Sequence, residues 1–240
     1  MSRPTIVLVH GAFADAASWT PVTRALLDAG HPVIVPPNPL RTLSGDAETV
    51  RRVVAAVDGP VLLAGHSYGG AVITVAGAAE NVVGLVYVAA YAPDEGESPA
   101  DMDARYPATD LRDHLVALPN PTPGREDGVD LSVAPDAFRP VFAAGLDPRI
   151  AEVLAVSQRS FADAAYTEAA STAAWRIKPS WGMVATADRT VQPDVQRHGY
   201  ERAGTHIVEI DGPHLAMQTH PRDVVALIET AVSATVAAAA

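Results

Sequence analysis

Short runs of apolar residues alternate along the chain with segments of helical length. The runs are rich in Val, Ile and Leu and are apolar continuously rather than at every second position. They cover residues 5–9, 32–36, 61–64, 82–88, 181–186 and 206–210. Continuous apolar runs are typical of strands that are covered on both faces. The pattern therefore predicts about six strands of one mostly parallel sheet.

Helical segments lie between these runs. They cover residues 19–29, 46–57, 69–79, 193–203 and 221–232. Gly30 follows the first segment, and Pro193 and Pro221 begin the last two, which agrees with the residue preferences of helix ends. Because strands and helices alternate, we expect an α/β fold in which a doubly wound sheet carries helices on both faces.

One stretch interrupts the alternation. Residues 92–178 contain no convincing strand, residues 92–135 are rich in Pro, Asp and Gly, and residues 136–144, 149–159 and 161–170 have helical patterns. We expect a helical cap insertion that leaves the sheet after the fourth strand and returns at the fifth. The predicted organisation is a core of residues 1–91 and 179–240 and a cap of residues 92–178.

Composition narrows the classes of function. The 240 residues are 48% hydrophobic and 19% charged, which suits one folded domain. A formal net charge of −11 argues against nucleic acid and anionic membranes as partners. The chain has no cysteine, so thiol nucleophiles and cysteine-ligated metals are excluded. No apolar run is long enough for a membrane span, and the five-residue run after the first four residues is too short for a signal-peptide core. We expect a cytoplasmic monomer or homodimer that acts on a small molecule.

The sharpest chemical signal is the sequence Gly65-His66-Ser67-Tyr68-Gly69-Gly70, between the third predicted strand and the following helix. Gly-x-Ser-x-Gly at such a junction is typical of a nucleophile elbow, in which a sharp turn exposes the serine hydroxyl above the sheet. Glycines two residues before and after the serine let strand and helix approach closely. The alternative is a glycine-rich turn with a helix-capping serine.

A serine nucleophile needs a base and an acid, and both have candidates at strand ends. His214 follows the last strand and is the best placed of eight histidines. Asp188 follows the fifth strand and is the first choice of acid, with Asp94 after the fourth strand as the alternative. Strand ends of this kind gather catalytic groups in parallel sheets. His10 and His66 are expected to shape the site rather than to act as the base.

An oxyanion would need two backbone N–H donors. The residue after the nucleophile, Tyr68, is one candidate. The other comes from the loop after the first strand, where Ala12 is preferred over Phe13 and Gly11 is expected to supply the necessary backbone freedom.

Together these residues resemble the α/β-hydrolase superfamily, and most closely its small-cap branch of plant methyl salicylate esterases and hydroxynitrile lyases. The motifs that carry the resemblance are residues 7–13, 18–19, 64–70, 188–189 and 212–217. The resemblance implies the α/β-hydrolase fold and a Ser67–His214–Asp188 triad. Hydroxynitrile lyases of this branch carry Thr in place of Gly11 and Lys in place of Leu215, so the departures favour an esterase.

The expected function is therefore a serine carboxylesterase that cleaves small to medium apolar esters through an acyl-enzyme, without a metal or an organic cofactor. Aromatic residues are the candidates for lining the substrate pocket, although each could instead belong to the core of the cap. They are Phe13, Tyr91, Phe138, Phe142, Phe161 and Trp175. The alternatives are a cofactor-free perhydrolase or haloperoxidase-like enzyme, a C–C bond hydrolase, and a non-catalytic ligand receptor on the same fold.

Overall fold

A computed structural model describes residues 3–122 and 124–238 of the chain. The described residues form nine strands in two sheets. The strands are β1 (Thr5–Val9), β2 (Val33–Ile34), β3 (Val61–His66), β4 (Val82–Val88), β5 (Leu115–Pro119), β6 (Val129–Val133), β7 (Phe161–Ala162), β8 (Ser180–Ala185) and β9 (His206–Ile210). Six of them form the larger sheet, in the order β2-β1-β3-β4-β8-β9, and all its pairings are parallel. The predicted six-stranded parallel sheet is confirmed.

Helices cover both faces of this sheet. The α-helices of the described residues, including those in the segment between β4 and β8, are α1 (Thr20–Asp28), α2 (Leu43–Ala55), α3 (Tyr68–Ala76), α4 (Pro99–Asp103), α5 (Pro135–Ala137), α6 (Pro148–Ser157), α7 (Asp163–Thr167), α8 (Pro193–Arg202), α9 (Ala216–Thr219) and α10 (Pro221–Ala238). Every residue of β3 and of α3 is buried, in agreement with the continuous apolar run at residues 61–64. No described helix is long and apolar enough to cross a membrane.

The region between β4 and β8 departs from the expected helical cap. The prediction that it contains no strand was wrong, because β5, β6 and β7 form a three-stranded antiparallel sheet there. Asp130 and Ser132 alternate with apolar residues in β6, a pattern typical of a half-exposed strand. This alternation is short and lies among Pro, Asp and Gly residues, so the composition of the region indicated a loop rather than a strand. Helices α4, α6 and α7 make up part of the remainder.

Candidate active site

Ser67 occupies a strained turn between β3 and α3. Its φ of 54° and ψ of −126° are unusual for a residue with a side chain, and such conformations cost about 1–3 kcal/mol. Backbone hydrogen bonds hold the turn: the carbonyl oxygen of Ser67 accepts from Gly70 N at 2.9 Å and from Tyr91 N at 3.2 Å, while Ser67 N donates to Val88 O at 3.3 Å. The fold thus keeps a serine hydroxyl at the carboxyl end of β3.

The glycines of this turn are required for space. A Cβ on Gly65 would lie 2.4 Å from Gly69 O, and a Cβ on Gly69 would lie 2.4 Å from Val9 O. Because the obstructing atoms belong to the backbone, no side chain could move aside to make room. The two glycines therefore let β1, β3 and α3 meet directly beneath Ser67.

His214 and Asp188 meet at the ends of two neighbouring strands. His214 lies between β9 and α9 and Asp188 follows β8; His214 Nδ1 and Asp188 Oδ2 are 2.7 Å apart, and both side chains are fully buried. Oδ1 of Asp188 accepts hydrogen bonds from Thr190 N at 2.7 Å and Val191 N at 3.0 Å. Backbone donors thus fix the carboxylate that orients the imidazole. The alternative acid, Asp94, instead forms an ion pair with Arg176 at 2.7 Å.

The other ring nitrogen of His214 is free to exchange a proton. His214 Nε2 is buried and has no hydrogen-bond partner among the described residues, Ser67 Oγ included. The rings of Phe142 and His66 lie against the imidazole, with centroids 5.2 Å and 4.5 Å away. A base whose Nδ1 is held by a carboxylate and whose Nε2 has no acceptor or donor beside it can take up a proton from a nearby hydroxyl.

Two further buried histidines, His66 and His10, form hydrogen bonds near His214 and Ser67. His66 Nε2 donates to the carbonyl oxygen of His214 at 2.9 Å, and burial together with the neighbouring His214 holds the pKa of His66 well below its usual range. His10 accepts a hydrogen bond from Asn38 N at its Nε2, and burial lowers the pKa of His10 as well. Both side chains are therefore neutral structural groups, in line with the role the sequence suggested for them.

Sequence reasoning missed Gln196, which is fully buried on α8. Its Nε2 donates to Asp188 Oδ2 at 2.9 Å and to Val191 O at 2.8 Å, and its Oε1 accepts from Ala185 N at 3.0 Å. Three simultaneous hydrogen bonds fix the direction of the amide, so Gln196 always presents a donor to Asp188. Arg197 and His198 follow it on the same helix, so no sequence signal distinguished Gln196 from its polar neighbours.

Replacing Gln196 by methionine should lower the free energy of unfolding by about 1–3 kcal/mol, because Ala185 N and Asp188 would each lose a buried partner. Urea denaturation followed by circular dichroism measures the change. Gln218→Met is the matched control, since Gln218 is only partly buried and its closest hydrogen bond is to Ser18 O at 2.7 Å. Equal losses in the two variants would contradict the role assigned to Gln196.

The loop after β1 lies directly against Ser67. A Cβ on Gly11 would be 2.7 Å from Ser67 Cβ, whereas Gly11 itself does not adopt a positive φ; Phe13 does, at 58°. Gly11 is thus needed because it lets the loop after β1 approach Ser67, and not because of the backbone freedom expected from the sequence. The N–H groups of Ala12 and Tyr68 donate to no other described residue. The choice between Ala12 and Phe13 as the second oxyanion donor stays a prediction.

A cavity of about 550 Å³ opens above Ser67. Four of the six predicted lining aromatics belong to its wall, together with the two predicted oxyanion donors and several aliphatic residues. The wall includes Ala12, Phe13, Ser67, Tyr68, Tyr91, Leu111, Leu115, Leu131, Phe142, Phe161, Val191 and Val195. The cavity wall around Ser67 is therefore mostly apolar.

Two of the predicted lining residues lie elsewhere. Phe138 is buried behind Phe142, with ring centroids 5.0 Å apart, and so belongs to the core. Trp175 donates its Nε1–H to Pro93 O at 2.8 Å, and the guanidinium of Arg176 lies over its ring. Both were predicted from residue type alone, which does not reveal the direction of a side chain.

The sequence model described as "Alpha/beta hydrolase family" matches residues 6–227. A curated relative, the "Carbendazim hydrolyzing esterase" of Nocardioides sp. (strain SG-4G), is 36% identical over 108 residues, which is 38% of this chain and 44% of that protein. The match thus spans less than half the length of that relative.

Solved structures share the fold over nearly the whole chain. Polyneuridine aldehyde esterase superposes with a TM-score of 0.80 at 22% identity, covering 95% of this chain and 99% of that one. A methylesterase from Arabidopsis superposes with a TM-score of 0.78 at 17% identity, covering 96% and 99%. At these identities the likeness concerns the fold.

Proposed function

The chain belongs to the α/β-hydrolase family, and from this premise we propose that it is a serine carboxylesterase that hydrolyses small to medium apolar esters through Ser67, His214 and Asp188. The observation that carries the proposal is the buried 2.7 Å contact between His214 and Asp188, beside a strained serine that lines an apolar cavity. Hydrolase and esterase relatives support the same reaction class.

In the proposed reaction, Ser67 Oγ attacks the ester carbonyl carbon while its proton passes to His214 Nε2. The N–H groups of Tyr68 and Ala12 stabilise the negative charge on the carbonyl oxygen. His214 then gives the proton to the departing alkoxide, which leaves as the alcohol, and an acyl-Ser67 remains. A water molecule loses a proton to His214, attacks the acyl carbon and releases the carboxylic acid, and the proton returns to Ser67.

Several features support this division of roles. Asp188 holds the proton of His214 on Nδ1, which leaves Nε2 as the acceptor. The hydrogen bonds that fix Asp188 come from backbone groups and from Gln196, so the acid keeps its orientation when His214 becomes charged. The cavity volume of about 550 Å³ lies within the range of ~300–1,000 Å³ usual for small-molecule sites.

The test is turnover of p-nitrophenyl acetate, butyrate and octanoate, combined with covalent trapping. A p-nitrophenyl phosphonate should release one p-nitrophenolate per chain, and peptide mass spectrometry should find the adduct on Ser67. Trapping at Ser67 with multiple turnover supports the proposal. One equivalent of acylation without further turnover would point to a receptor, and ester turnover without an adduct on Ser67 would overturn the serine mechanism.

Phe142→Ala should raise the ratio of kcat/KM for the octanoate to kcat/KM for the butyrate by at least about fivefold. The substitution removes an aromatic side chain from the cavity wall and so makes room for the longer acyl chain. A single methylene group in an apolar pocket already changes kcat/KM by about tenfold or more. Phe138→Ala is the control, because Phe138 is equally buried but lies outside the cavity wall. We expect it to lower the free energy of unfolding by about 3–5 kcal/mol without shifting the ratio. A shift of the same size in both variants would contradict the assignment of Phe142.

A further inference from the structure

One carboxylate lies in the wall of the same cavity without a cation beside it. Asp103, at the end of α4, lines the cavity and is partly buried. Its Oδ2 accepts hydrogen bonds from the hydroxyls of Tyr91 and Tyr166, each at 2.7 Å. None of the described hydrogen bonds reaches its Oδ1, and none of the ion pairs in the described ranges includes it. The triad makes no use of this group.

The cavity that Asp103 lines is rich in aromatic rings. Four of the six tyrosines of the chain line the cavity: Tyr68, Tyr91, Tyr106 and Tyr166. Aromatic rings attract cations through their faces. A partly desolvated carboxylate without a positive partner is costly, and burial raises the pKa of Asp103, with Asp188 adding to the effect. A positive ligand would relieve this cost.

The other charged residue of the cavity wall does not cancel this preference. Arg112 lines the cavity and its positive charge acts on Tyr166, but the residue is exposed to solvent, where water and salt weaken that charge. The chain as a whole carries a formal net charge of −11, which draws cations rather than anions toward the opening.

We propose that Asp103, together with Tyr91 and Tyr166, forms a subsite for an alkylammonium group of the substrate. The inference rests on the proposed esterase function and narrows its substrates to esters that join an apolar portion, held near Ser67, to a positively charged nitrogen. Asp103 is a specificity-determining residue in this reading and takes no part in bond cleavage.

Two isosteric pairs test the subsite, because trimethylammonium and tert-butyl groups have the same shape. Turnover of butyrylcholine and of 3,3-dimethylbutyl butyrate is followed in a pH-stat. The wild type should prefer the cationic ester, and Asp103→Asn should reduce its kcat/KM by about tenfold while changing that of the neutral ester less than about twofold, as expected for the loss of one charge contact. Asp110→Asn is the charge-matched control, since Asp110 is exposed and lies outside the cavity wall.

Calorimetric binding of choline and of 3,3-dimethylbutan-1-ol tests the subsite without turnover. Choline should bind the wild type about tenfold more tightly than the neutral alcohol, and Asp103→Asn should abolish the difference. Selective choline binding without hydrolysis of these two esters or of the p-nitrophenyl esters would overturn the proposed function and uphold the subsite. Hydrolysis without a preference for the cation, or equal losses for both esters in Asp103→Asn, would overturn the subsite and leave the esterase intact.

Discussion

Ser67→Ala is expected to reduce kcat for p-nitrophenyl butyrate by at least about 10⁴-fold, because no other group can form the acyl-enzyme while the oxyanion donors alone give only residual catalysis. The buried contact between His214 and Asp188 does not depend on the serine hydroxyl, so the fold should persist. Rates at saturating substrate, with circular dichroism spectra and melting temperatures of both proteins, provide the measurement.

Ser67→Gly separates the effect of losing the serine hydroxyl on activity from the effect of backbone strain on stability. Glycine adopts a positive φ readily, so this variant should be equally inactive but more stable than Ser67→Ala, which keeps the unfavourable φ of 54°. A gain in stability accompanied by loss of turnover would show that the turn stores strain in order to present the hydroxyl. More than a few per cent of wild-type activity in either variant would remove Ser67 from the mechanism.

Asp188→Asn is expected to lower kcat by about 10⁴-fold, through the wrong tautomer of His214. Oδ1 of Asp188 accepts from Thr190 N and Val191 N, so the asparagine oxygen would remain there and its NH₂ would face His214 Nδ1. That nitrogen would have to accept, the proton would move to Nε2, and Nε2 could no longer take a proton from Ser67.

Gln196 makes this substitution costly for stability as well. Its amide cannot turn, because its Oε1 accepts from Ala185 N, so two NH₂ groups would face each other in Asp188→Asn. We expect the free energy of unfolding to fall by about 1–3 kcal/mol. Asp94→Asn is the matched control and should change kcat by less than about twofold. If Asp94→Asn were inactive and Asp188→Asn active, the assignment of the acid would be reversed.

Those parts of the molecule that depend on local pattern could be predicted from the sequence. Continuous apolar runs identified the strands of the parallel sheet, and the position of the serine motif between a strand and a helix identified the elbow. The rule that functional groups gather where parallel strands end selected Asp188 and His214, and the structure brings these two side chains together, while their catalytic roles stay predictions. Each of these inferences uses residues close together in the sequence or a property shared by all such sheets.

What could not be predicted depends on contacts between distant segments. Asp103 gains its environment from Tyr91 and Tyr166, and no spacing in the sequence indicates that the three meet. Gln196 was passed over because a helix carries many polar residues, and only the structure gives its direction. Phe138 and Phe142 have the same residue type within one short turn, yet only Phe142 belongs to the cavity wall.

The pairing of β4 with β8 has a consequence for how this protein could diversify. β4 ends at Val88, and β8 begins at Ser180 opposite Leu85, so both ends of the long segment between the two strands are fixed on one rigid platform. The entropy of closing such a loop rises only with the logarithm of its length. Exposed parts of this segment can therefore be lengthened or shortened at a small cost in closure entropy, provided that buried residues such as Phe138 are kept, while the platform keeps Ser67, Asp188 and His214 in register. Substrate selectivity can therefore evolve through changes in the segment between β4 and β8, while the catalytic platform stays the same.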